Sequence, residues 1–251
     1  MEINYKGRGD GLGNRLLEIA FLEYMAAKNN IKINYIWTNS LNRLDRTYPI
    51  LIHSKNVQLS ENPGLEVNFD KYFDKKSSVR SMNKEDWAYY ANFIKPNFTL
   101  VETNKEIVSV HLRGGDKIIN LNKQFFKNYS TKKNGHFFNT NLQYKYFQNK
   151  SIDYLNSTKP ESLFICSDSD TVKNNYQKKI KFKHSYQQHM FQTEIPDVYF
   201  DFFNLAFSTK IIMVSKFSSF AIMASLVGKT KLMVYKGTEV EDRFSKYVEY
   251  Y

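Results

Sequence analysis

Residues Glu2–Trp37 read EINYKGRGDGLGNRLLEIAFLEYMAAKNNIKINYIW. EINYK is a short strand, RLLEIAFLEYMAAK (Arg15 to Lys28) places apolar residues at helical spacing, and IKINYIW alternates as a second strand. Between them GRGDGLGN, Gly7 to Asn14, puts four of the chain's ten glycines into eight positions. Glycines that follow a strand and open a helix let the backbone approach a ligand, and the first helical N–H groups then face any anion placed there. The loop has neither the GxGxxG spacing of a dinucleotide site nor the GK[ST] ending of a P-loop. Taken alone it reads first as a turn with an Asn cap.

Downstream, residues 38–104 are irregular, with SENPG and the aromatic run WAYYANFIKPNF (Trp87 to Phe98), and no topology follows from them. From Lys105 the rhythm is regular. EIVSVHLR, SLFICSD, IKFKH, KIIMVS and KLMVY read as strands. NLQYKYFQNKSIDYLN, TVKNNYQKK, VYFDFFNLAF and SSFAIMASLVG read as helices, with a last helix from about Glu239. Alternating β and α elements predict parallel sheets with helices on both faces. The expected fold is α/β, two Rossmann-like halves over 1–104 and 105–251, with a ligand cleft between them at the carboxyl ends of the strands.

The totals narrow the function classes. A chain of 251 residues with 36 Lys plus Arg against 25 Asp plus Glu favours anionic ligands. Asn and Lys abound throughout, so the charge does not choose among nucleotide, nucleic acid and lipid headgroup. The single cysteine, Cys166, forms no disulfide and no Cys-based zinc site within the chain, which suits a reducing, cytoplasmic setting. No stretch approaches the ~20 apolar residues of a bilayer span, although peripheral contact with a membrane surface is compatible with the charge. His184 and His189 do not share a helical face, and both are expected on the surface.

Three further segments carry candidate chemistry. HLRGGDK (His111 to Lys117) ends a strand; Arg113 there suits a bidentate contact with phosphate, or else an ion pair with Asp116 that fixes the turn, with His111 in the core. In SKFSSFAIMASLVG (Ser215 to Gly228), Ser218 and Ser219 open a helix, either as a cap or as phosphate ligands. Asp168, Asp170 and Asp201 lie where strand-end carboxylates could accept hydrogen bonds from a base or ribose, or are simply solvated.

As an ordered set, GLGNR, HLRGGDK, CSDSD and DFFNLAF…SKFSSFAIMA resemble the motifs of the fucosyltransferase superfamily, the α1,2-, α1,6- and protein O-fucosyltransferases. The resemblance spans most of the chain apart from its middle stretch. It implies a GT-B-like fold and transfer of fucose from GDP-fucose to a glycan hydroxyl with inversion and without metal or other cofactor. It also implies that Arg113 holds the β-phosphate, helped by Lys117 and with Asp116 in the same motif. His111 then faces the nucleoside, and Asp168 lies near it. Asp201 accepts from the parallel N1–H and amine of guanine. Phe217, Ser218 and Ser219 meet the phosphates, and Gly11, Gly13, Asn14 and Arg15 line the pyrophosphate. Asp10 stands where some protein O-fucosyltransferases carry an acidic residue near the anomeric carbon, which makes it the candidate base; its plain alternative is a solvated Asp or one paired to Arg8 or Arg15. Gly114 replaces the second arginine of the α1,2 and α1,6 enzymes, which leaves the acceptor class and the donor sugar open, with UDP-xylose as an alternative donor. The partners so implied are a nucleotide-sugar donor and an oligosaccharide acceptor, and no nucleic acid. The rival class is a basic nucleic-acid-binding protein, drawn from KQFFKNYSTKK and NNYQKKIKFKH.

Overall fold

The computed structural model describes residues 2–7, 11–38, 48–62, 64–74, 82–83, 85–101, 106–112, 140–215, 218–236 and 242–251. The amino-terminal half is built on β1 (Glu2–Lys6), α1 (Leu12–Asn29), β2 (Lys32–Ile36) and β4 (Val57–Ser60), with β3 (Ile52–His53) between the last two. Strands β1, β2 and β4 pair in parallel in that order. α1 is buried almost all round because one side lies on this sheet and the other on neighbouring helices. It stops at Asn30, whose left-handed backbone (φ 50°) returns its N–H to Ala26 and Ala27.

The stretch that the sequence left unassigned supplies β3, β4, α2 (Phe69–Tyr72), α3 (Asp86–Ala91), β5 (Lys95–Pro96) and β6 (Leu100–Val101). Asn68 protects the open edge of β1: its side-chain oxygen accepts the Asn4 N–H at 2.7 Å, and its own N–H donates to the Asn4 carbonyl at 3.2 Å.

The second half holds β7 (Val108–Leu112), α4 (Thr140–Thr158), β8 (Ser162–Ser167), α5 (Asp170–Gln177), β9 (Ser185–Tyr186), β10 (Met190–Phe191) and α6 (Asp197–Ala206). It continues with β11 (Lys210–Val214), α7 (Ser219–Gly228), β12 (Lys231–Val234) and β13 (Val248–Tyr250). Six of these strands form one parallel sheet ordered β13-β12-β11-β7-β8-β9. Numbered along the chain from β7, that is the doubly wound order 3-2-1-4-5-6, which reverses direction between β7 and β11.

Side chains alternate across the sheet as the strand period requires. Val108, Val110 and Leu112 join Phe147, Leu155 and Tyr176 in a smaller core under α4 and α5. Phe164, Cys166, Ile211 and Met213 point the other way, into a larger core that continues without a break to Ile3, Tyr5, Ile33 and Tyr35 of the first sheet. The two sheets fall on either side of the expected boundary, and residues 102–105, where that boundary lies, are outside the described residues.

Two expected elements differ. IKFKH is not a strand; the sheet is extended instead by Ser185–Tyr186 just beyond it. Its alternation is real, since Ile180 and Phe182 pack on the smaller core, but the segment packs without pairing. The expected terminal helix is a 3₁₀ turn, Asp242–Tyr247, followed by β13. Phe244 and Tyr247 share a face at either period, so the apolar spacing did not separate the two readings.

Two glycines fix α7. A Cβ on Gly13 would lie 2.4 Å from the backbone nitrogen of Phe220, and one on Gly228 would lie 1.7 Å from the carbonyl oxygen of Ala206. The start of α1 therefore rests directly on the start of α7. Alanine at a helical glycine ordinarily gains ~1 kcal/mol, but overpacking against a backbone costs about 1–3 kcal/mol or more. Gly13→Ala is expected to lower the melting temperature by several degrees, whereas Gly11→Ala, with nothing within 4 Å, leaves it nearly unchanged. Parallel thermal unfolding of both variants checks this; equal losses would remove the contact from its role.

Candidate functional site

Strand order reverses between β7 and β11, and open α/β sheets take ligands outside the carboxyl ends of the strands at such a reversal. Leu112 and Val214 are register partners at that end. The chain segments that leave there are HLRGGDK and SKFSS. Of the expected site residues, Arg113, Asp116, Lys117, Phe217 and Asp10 lie outside the described residues. The others are placed as follows.

Gly11 is the N-cap of α1, with extended backbone and an open side, and its carbonyl accepts the N–H of Asn14 at 3.0 Å. Ser218 is the N-cap of α7: it is buried, and its hydroxyl accepts the Ala221 N–H at 3.3 Å. Ser219 opens the helix and lies against Gly13. The glycine loop and the serine helix, more than 200 residues apart, are thus brought together at their N-termini. His111 is buried and stacks on Phe220, with ring centres 5.6 Å apart and planes 28° from parallel, which ties the start of α7 to β7. Phe220 is itself set edge-on to Phe202 of α6.

Ser215, which the sequence reading passed over, lies just past β11 at this reversal. It is buried, and its hydroxyl has no hydrogen-bond partner among the described residues. Such a group ordinarily costs about 1–3 kcal/mol. The only sequence signal was a polar residue closing the apolar strand KIIMV.

Arg15 lies one turn into α1 and is fully buried. Its guanidinium sits 4.6 Å from the ring centre of Trp37 and 5.2 Å from that of Tyr48. Burial lowers its pKa, opposed by Tyr35, Tyr48, Tyr199 and Glu18. Tyr199 of α6 donates to the Pro49 carbonyl at 2.7 Å and so ties the second half to the same loop.

Asp201, on α6, faces the end of β8. Burial pushes its carboxyl up to about 7, with Lys173 opposing and Asp197, one turn earlier, adding to the rise. Lys173 was not foreseen; its amine lies 5.2 Å from the Tyr186 ring centre, and Tyr186 and Asp201 favour its charged form against burial. Asp168 is exposed just beyond β8, and Ser169 caps α5, so the DSD spelling is a helix start here. Among the described residues no group of three or more His, Cys, Asp or Glu converges as a metal site, and no helix is long and apolar enough to cross a membrane. His189, expected on the surface, is buried; its N–H donates to the side chain of Asn204 at 2.5 Å, and burial lowers its pKa.

A carboxyl raised to about 7 takes up its proton more readily folded than unfolded. Stability therefore falls as pH rises from about 4 to about 7 and is level above that. Asp201→Asn is expected to match the parent near pH 4 and to exceed it at pH 8 by ~2–4 kcal/mol. Denaturant unfolding at both pH values reads this, and an unchanged difference would place Asp201 in a solvated setting.

No protein-family model and no curated protein matches the sequence. Solved structures do match the fold. The apo form of POFUT1 superposes with a TM-score of 0.54 at 10% identity, over 91% of this chain and 95% of that one. POFUT1 in complex with GDP gives 0.52 at 10% identity, over 93% and 97%. Fucosyltransferase NodZ from Bradyrhizobium gives 0.52 at 12% identity, over 90% and 93%. The chain has the α/β fold of these fucosyltransferases.

Proposed function

We propose that the protein is a glycosyltransferase that takes fucose from GDP-fucose and places it on a glycan hydroxyl. The observation that carries the reading is the buried hydroxyl of Ser215, without a partner among the described residues, at the strand-order reversal and three residues before the cap of α7. A diphosphate is the ligand class that such a serine and adjacent helix N–H groups suit. The ordered motifs and the fold shared with a GDP-bound fucosyltransferase support the same conclusion.

In this reading the donor's diphosphate lies at the carboxyl ends of β7 and β11. Arg113 and Lys117 neutralise the charge that grows on the departing GDP, so the step needs no metal. Ser215, Ser219 and the α7 N–H groups receive the phosphate oxygens, while Gly11 lets the loop pass close by. Asp201, ionised, accepts from guanine N1–H and the exocyclic amine. The acceptor oxygen attacks the anomeric carbon from the face opposite the leaving diphosphate, and Asp10 takes its proton. One bond forms as the other breaks, which inverts the anomeric centre. Arg15 acts at one remove: by holding Trp37 and Tyr48 it sets the loop from which the acceptor side is built.

Ligand-dependent melting tests the donor. GDP-fucose and GDP are expected to stabilise the protein strongly, by about 2.7 kcal/mol at a hundredfold excess over Kd, and GDP-mannose less; UDP-xylose and UDP-glucose are not. If the UDP sugars win, the guanine assignment of Asp201 fails. Ser215→Ala is expected to leave the free protein as stable as before or more so, because an unsatisfied hydroxyl is removed, while weakening GDP binding roughly five- to tenfold. Retained affinity would remove Ser215 from the site. Asp10→Asn is expected to keep the GDP response and to lose about 10²–10⁴-fold in transfer, read with a labelled donor and mixed glycan acceptors.

A further inference from the structure

The aromatic run Trp87–Phe98 has no part in that chemistry, and it leads to the far end of the first half. Behind α1, at the amino ends of β2 and β4 and beside the β3–β5 ribbon, lies an open cavity of about 1170 Å³. Asn30 and Ile31, just past the end of α1, line it, whereas the glycine loop opens the other end of that 18-residue helix. Two amines, Lys32 and Lys55, line the cavity, and Glu2 is its one acid. Amide side chains, Gln58 and Asn97 among them, supply paired donors and acceptors of the kind that hydroxyl groups match. His53 is fixed against Asn97 at 2.6 Å.

The rim continues the pattern. The amine of Lys55 lies 4.8 Å from the Phe93 ring centre, and Phe93 meets Tyr89 at 5.1 Å. Tyr89 presents an exposed ring, 59% accessible. Behind Tyr89, Tyr90 packs edge-on against the buried Tyr24, whose hydroxyl accepts from the Lys28 amine at 3.0 Å. The buried carboxylate of Glu23 fixes the wall: it accepts the backbone N–H groups of Asn56 and Val57 and the side chains of Ser54 and Asn56, so the groove is formed before any ligand arrives.

We propose that this groove is a second binding site, for an acidic oligosaccharide. Amides take the hydroxyl groups, the two amines take the negative substituents, and the exposed ring of Tyr89 offers its electron-rich face to the C–H face of a sugar. The site goes beyond the transferase reading and does not depend on it. On that reading it holds the distal part of a polymeric acceptor.

The test is a chemical-shift titration of the full chain, without donor, with hexagalacturonate, maltohexaose and tripolyphosphate. Hexagalacturonate is expected to shift the amides of residues 30–33, 53–58 and 97, with maltohexaose weaker. Lys55→Gln and the exposed variant Tyr89→Ala are each expected to weaken binding about three- to tenfold, in line with the loss of one charged or aromatic contact. Both should keep the parent melting temperature and GDP response. Shifts confined to other residues, tripolyphosphate binding as well as hexagalacturonate, or affinity indifferent to both substitutions would each overturn the proposal. A lost GDP response alongside retained hexagalacturonate binding would defeat the transferase reading and leave the groove standing.

Discussion

The arrangement depends on a glycine with no room beside it. Gly13 lets the first turn of α1 lie on the backbone of Ser219 and Phe220, and any side chain there would force the two helices apart. Gly228 does the same at the other end of α7, against Ala206 of α6. With α7 held at both ends, its capped start can sit only beside the glycine loop. His111 stacked on Phe220 then fixes that start to β7. A chain folded through one continuous core joins its two halves by packing, which sets the starts of α1 and α7 against each other.

The larger core also holds charge, and each group is answered locally. Glu18 accepts from the hydroxyls of Tyr5 and Tyr35 at 3.0 and 3.1 Å. Glu23 takes four hydrogen bonds at the turn into β4. Arg15 lies among aromatic faces. Removing one partner from such a set leaves a buried charge uncompensated, which destabilises far more than loss of an apolar contact. These residues therefore fix the geometry of the first half, and α1 carries all three on its successive turns.

The alternation of EIVSV, LFIC and KIIMV was legible because each strand is buried on both faces and bounded by polar residues, and the strand–loop–helix–strand unit at the start followed from the same periods. The middle stretch was not legible: its strands are two to four residues long and pair with distant partners, such as β6 with β10, that no local pattern encodes. Within the site, the serine cap of α7 and the carboxylate at Asp201 were visible as residue types. Gly13 reads in sequence as one more loop glycine, and only tertiary packing shows that it is a helix contact. His189 looked like a surface residue because its burial comes from α6 and its neighbours, not from any apolar period of its own.

Ser215 and Asp201 share a physical logic that the rest of the core does not. Every buried carboxylate described on α1 is matched by donors, whereas Ser215, just past β11, has a hydroxyl without a partner among the described residues, and Asp201 on α6 has a carboxyl that burial pushes up to about 7. Lys173 lies close enough to oppose that rise but not to abolish it. A fold that pairs Glu18 and Glu23 so completely has the means to satisfy two more groups, and leaving them costs stability. Polar groups left short in this way, on either side of the strand-order reversal, are what a diphosphate and a base would complete. On the proposed function, the free energy withheld from folding would be recovered when the donor binds.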